Sequence, residues 1–163
     1  MQRYEKLSPC LYGAEIFYGK IDLKITHGFS CFFIVEHTTD KTYIKDQVMQ
    51  LLLTGCRNFD FYGAAEPVWH LCVDEVNSIL YPDPTPENVA LTSGWNSIKD
   101  FVDALDEQLS SRPFVLHDFY LIYDDAGIYA EVLRMLDDRN KLSRSKNYVR
   151  WLDETGKGET GQL

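Results

Sequence analysis

Ser30-Cys31-Phe32-Phe33-Ile34-Val35-Glu36 is an apolar run too short for a helix, and a helical segment follows it at once. Its branched and aromatic side chains suit a strand buried on both faces, the environment of a parallel sheet. Thr38, Thr39 or Asp40 can cap the helix, Ile44, Val48, Leu51 and Leu52 form its inner stripe, and Gly55 stops it. The same alternation recurs downstream. Asn58–Tyr62 reads as a strand ended by Gly63, and Pro67 opens a helix whose Val68, Leu71, Cys72, Val76, Ile79 and Leu80 keep helical spacing.

Three prolines between Tyr81 and Glu87 interrupt the pattern, after which Val89–Thr92 is expected as a strand. Asn96 or Ser97 caps a helix striped by Ile98, Phe101, Val102, Leu105 and Leu109. Pro113–Leu116 and Phe119–Tyr123 form one long strand or a bent pair, and a last helix spans about Gly127 to Lys141. Strands alternating with helices predict an α/β domain: a mostly parallel sheet with helices on both faces, Rossmann-like or flavodoxin-like in its three layers. Glu15–Tyr18 and Ile21–Ile25 suggest an N-terminal β-hairpin. Residues 1–152 are read as one domain and 153–163 as a flexible tail without an apolar anchor until its end.

The charge is unevenly placed. Residues 60–125 hold thirteen of the 25 Asp and Glu but only Lys99 and Arg112 of the sixteen Lys and Arg, so the net charge of −9 comes from this middle segment, and each flank is slightly positive. That field favours a cationic partner and repels nucleic-acid phosphates. No apolar run approaches a membrane span, and residues 1–6 lack the apolar stretch of a signal peptide, so a cytoplasmic protein is expected. Cys10, Cys31, Cys56 and Cys72 are widely spaced, fit neither a zinc site nor a disulfide framework, and read as buried reduced thiols.

No G-x-G-x-x-G, P-loop or G-x-S-x-G occurs, so a nucleotide site is not expected. Thr92-Ser93-Gly94 could form an anion-binding turn before the third helix, but the acids that follow would repel a phosphate. Val35-Glu36-His37-Thr38-Thr39-Asp40 resembles the strand-to-helix Glu segment of Toprim domains. That resemblance implies acid–base work for Glu36 and Mg²⁺ binding by later acids, here Asp124 and Asp125, with Asp40 opening the helix. The chain departs from the pattern: His37 stands where glycine is usual, and the later acids are adjacent, so they point apart on an extended chain. An N-capping Asp40 and solvated loop acids are the favoured reading, with no cofactor and Mg²⁺ as the alternative.

The acidic belt is the remaining signal. Asp74 and Glu75 fall on the second helix, and Asp100, Asp103, Asp106 and Glu107 on the third, with almost no neighbouring Lys or Arg at i,i+4. Trp95 is the expected aromatic anchor, with Trp69, Tyr62 and Tyr81 near it in sequence. The pattern around Phe61-Tyr62-Gly63, Val68-Trp69-His70 and Leu91–Trp95 also resembles small bacterial α/β proteins, a resemblance that implies no site residues. These features predict an acidic, non-catalytic protein that binds a basic partner, most concretely an immunity protein or antitoxin against a basic toxin. The alternatives are a Mg²⁺-dependent Toprim-like phosphoryl-transfer or hydrolytic enzyme, and an accessory domain of a larger assembly.

Overall fold

The computed structural model describes residues 4–16, 21, 28–111 and 117–142. Its elements alternate as expected: β1 (Tyr4–Ser8), β2 (Leu11–Glu15), β3 (Phe29–Ile34), α1 (Lys41–Thr54), β4 (Asn58–Tyr62), α2 (Glu66–Leu80), β5 (Leu91–Trp95), α3 (Ile98–Ser110), β6 (Asp118–Tyr123) and α4 (Ala126–Asp138). The strands form one six-stranded sheet in the order β1-β2-β6-β3-β4-β5, parallel except for the edge strand β1.

Period-two alternation sorts each strand between two cores. Cys31, Phe33, Phe59, Phe61, Tyr120 and Ile122 face α1 and α2, where Trp69 packs among Phe33 and Phe61. Phe32, Ile34, Phe119 and Leu121 face the other way, against Phe101, Val102 and Leu105 of α3 and Val132, Leu133 and Leu136 of α4. Crossovers through α1 and α2 therefore cover one face, and α3 and α4 the other. All four cysteines are buried free thiols. No helix among the described residues is long and apolar enough to cross a membrane.

The helix ends follow the sequence. The Asp40 carboxylate accepts from the Thr42 and Tyr43 amides to cap α1, and Gly55 ends it in the left-handed region at φ 111°. Ser97 caps α3 through the Asp100 amide. Gly63 has φ 126° and lies so close to the Val35 carbonyl that a Cβ would sit 2.3 Å from its oxygen. Only glycine lets the end of β4 pass the end of β3 there.

Three expectations shift. A hairpin is present, but it is β1–β2, closed by Pro9-Cys10; of the expected second piece, residues 22–25 lie outside the described residues. The hairpin moves forward because β2 pairs in parallel with β6, which fixes Leu11–Glu15 inside the sheet. Thr92-Ser93-Gly94 is no turn: it is the middle of β5, in register with Phe59-Asp60-Phe61. Trp69 is no surface anchor, because its position on α2 faces the sheet; it is fully buried and its indole N–H donates to the Thr38 carbonyl at 2.9 Å. Residues 112–116 and the tail at 153–163 lie outside the described residues.

Candidate functional site

Chain direction across the sheet reverses between β3 and β6, since β3 leads outward to β4 and β5 before the chain returns to β6. In open α/β sheets the crevice beyond the carboxyl ends of such a strand pair is where ligands bind. Glu36, His37 and Thr38 leave β3 there, and Asp124 and Asp125 leave β6. The crevice is filled from within. One Asp124 oxygen accepts from the Glu36 amide at 2.8 Å, and the other from the His37 amide at 3.0 Å and the Thr38 amide and hydroxyl at 2.8 Å each. Asp124 thus occupies the row of amides that an anionic ligand would need.

The neighbouring acids are committed in the same way. Glu36 accepts from the Ala64 amide at 2.8 Å, tying β3 to the loop after β4. Asp125 accepts from the Ile128 amide, capping α4, and pairs with the His37 ring at 2.8 Å. The Ile128 amide, then His37, hold the Asp125 carboxyl below its ordinary range, while the bond to Asp125 raises the His37 imidazole. Asp40 caps α1. The four carboxylates suggested by the Toprim-like segment are therefore each turned to a different set of amides. Among the described residues no group of three or more His, Cys, Asp or Glu side chains is placed to hold a metal ion. This donor set does not fit a shared Mg²⁺ site.

The acidic belt is divided by the sheet. Asp74 and Glu75 sit on α2, across the sheet from Asp100, Asp103, Asp106 and Glu107 on α3. Three of its acids, Glu75, Asp103 and Asp106, are also paired with cations distant in sequence. Glu75 pairs with Lys45 at 2.7 Å, and Asp74 lies 3.7 Å from the His70 ring. Asp103 pairs with Lys99 and Arg139, and Asp106 with Arg139 and Lys141. Lys99, then Arg139, hold the Asp103 carboxyl below its usual range. Asp100 and Glu107 remain exposed, without an ion pair among the described residues.

Below these pairs the α3 face opens into a cavity of about 520 Å³, between the second half of α3, the first halves of β3, β4 and β6, and the length of β5. Its floor is polar where alternation would place core residues. Ser30, Asn58, Asp60, Ser93 and His117 line it from the strands, with Trp95, Leu91 and Phe119. Helix α3 adds Ala104, Glu107, Gln108 and Ser111. Register makes this one surface: Asp60 lies beside Ser93 and Asn58 beside Leu91. The Ser30 hydroxyl is 2.8 Å from His117 Nε2. Asp60 is 5% exposed and accepts from the Trp95 indole N–H at 2.9 Å. Burial pushes its carboxyl above the ordinary range, against hydrogen bonds from Trp95 and Gln108.

Trp95 thus enters the site as a wall of a polar pocket and the donor that holds Asp60, with part of its surface still accessible. Sequence reasoning missed the cavity. The signal was there in polar side chains two apart on inner strand positions, Asn58 and Asp60 above all, in strands whose other positions are aromatic. No protein-family model, curated protein or solved structure matches the chain.

Proposed function

We propose that the chain is a small acidic, non-catalytic binding protein that holds a basic protein partner against the α3 face. Its most concrete form is an immunity protein or antitoxin that neutralises a basic toxin in the cytoplasm. The observation that carries this reading is the cavity under α3: Asp60 and Glu107 line it, and among the described residues no Lys or Arg does. Asp100, in the first turn of α3, adds a second exposed carboxylate on the same helix. Unpaired acids beside an acidic pocket attract a basic surface and suppress acidic competitors. Trp95 supplies the apolar contact at the pocket wall. Asp103 and Asp106, already paired with Arg139 and Lys141, serve mainly to fasten α3 to the end of α4. Asp74 and Glu75 lie across the sheet and stand outside this interface.

The test is affinity capture from extract of the native cell at low and high salt, followed by measured binding of the retained partner to the double variant Asp100→Lys, Glu107→Lys. A stoichiometric basic partner, released by salt, is expected. The double reversal should weaken its binding by about 10-fold or more and flatten the salt dependence. Unchanged affinity in the double variant would overturn the reading.

A further inference from the structure

We propose that the cavity between α3 and the strands β3 to β5 is a binding site for an alkylguanidinium group, the side chain of an arginine on the basic partner. The inference rests on the binding reading above, and it names what the partner places in the pocket. Asp60 is 5% exposed, and burial opposes its ionisation while its two donors, Trp95 and Gln108, are uncharged. A cation completes the set. Asp60 sits on the floor and Glu107 on the α3 side, so one incoming group can meet both carboxylates.

The shape of the remaining lining favours a planar cation over a compact one. Asn58 and Ser93 add side-chain oxygens near Asp60, acceptors for a group that carries several N–H donors in one plane. The Trp95 indole forms a flat aromatic wall on which a guanidinium can stack. An ammonium is a strongly hydrated point charge that uses fewer of these acceptors and no stacking. A phosphate or carboxylate ligand meets two carboxyl groups and, among the described lining residues, no Lys or Arg; His117 is engaged with the Ser30 hydroxyl. The cavity, at about 520 Å³, has room for a whole extended arginine side chain.

The probe is agmatine, an alkylguanidinium without a backbone, titrated into the full chain at about pH 7.5. Heat is followed by calorimetry and the indole N–H resonances by NMR. A saturable shift of the Trp95 indole signal is expected, with the buried Trp69 signal unmoved. Asp60→Asn keeps an acceptor for the indole and should lower affinity by about 10-fold, and butylamine should bind several-fold more weakly than agmatine. Glu107→Lys, an exposed substitution that leaves the core alone, should abolish binding and serves as the second variant if Asp60→Asn fails to fold. No saturation by about 10 mM agmatine, or equal affinity in Glu107→Lys, would overturn the proposal. So would equal binding of butylamine. A partner that binds through Asp100 and Glu107 while agmatine does not would leave the binding reading standing and remove this site. Agmatine binding with no basic partner would do the reverse.

Discussion

Replacing Glu5 by glutamine raises the stability of the fold at about pH 8 and leaves it unchanged at about pH 4, the signature of a buried carboxyl that must ionise. Glu5 lies on the edge strand β1 and accepts from the Tyr129 hydroxyl of α4 at 2.9 Å. The contact depends on the strand between them. Gly13 of β2 pairs with Glu5, and a Cβ there would sit 1.9 Å from the Tyr129 hydroxyl oxygen. The absent side chain lets the tyrosine reach across β2, while its ring stacks on Tyr123 at 3.8 Å. Burial in this position pushes the Glu5 carboxyl from 4.5 up to about 7, only partly offset by the hydroxyl. Below pH 4.5 the carboxyl is protonated in both folded and unfolded chains, and no cost arises. Between 4.5 and 7 the unfolded chain gives up its proton first, so stability falls as pH rises. Above 7 the full cost is present, up to about 3 kcal/mol from a shift of this size. The substituted glutamine keeps the acceptor and has nothing to ionise. Urea unfolding of both proteins at the two pH values measures this directly; a stability difference that is the same at both would contradict it.

Asp124→Ala is expected to cost about 3 kcal/mol, more than the other loop carboxylates. Three consecutive amides, of Glu36, His37 and Thr38, end on this one carboxylate, together with the Thr38 hydroxyl. Bonds to a charged acceptor are each worth about 1.5–3 kcal/mol, but water reaches part of this loop and replaces some of them. The loop after β6 would also lose its side-chain ties to the loop after β3, leaving the backbone bond from the Asp124 amide to the Ile34 carbonyl. Asp40→Ala removes only a helix cap and should cost about 1 kcal/mol. Thermal unfolding of the two variants gives the ordering. Equal losses, or a stable Asp124→Ala protein, would show that the carboxylate does not hold the crevice closed.

The alternation of elements could be read in advance because each buried strand and each helical stripe is a local pattern. Asp40 and Gly55 bound α1 as expected, and the stripe Phe101, Val102 and Leu105 is the buried side of α3. The hairpin was misplaced because β2 is specified by its parallel partner β6, far away in the chain. The acidic belt looked like one surface because charge was counted along the chain. Which face a helix covers depends on the hand of its crossover, and the balancing cations, Lys45, Arg139 and Lys141, come from outside the acidic segment. The cavity needed register: Asp60 and Ser93 are neighbours only once β4 and β5 are aligned.

The Asp124 geometry bears on function as well as stability. A ligand at the reversal between β3 and β6 would have to displace a carboxylate that already fills the row of amides. The polar opening under α3 lies elsewhere on the sheet, where Ser30, Asn58, Asp60 and the length of β5 meet Glu107 and Gln108. That placement separates the part of the sheet that keeps its central strands together from the part offered to a partner.

The most direct test is to map the contact surface by NMR on the isotope-labelled chain, with the salt-released partner added at low ionic strength. The largest changes are expected at the Trp95 indole N–H, the Gln108 side-chain amide and the backbone of Ser93 and Glu107. Changes centred instead on His37, Thr38 and Asp125, beyond the ends of β3 and β6, would contradict it.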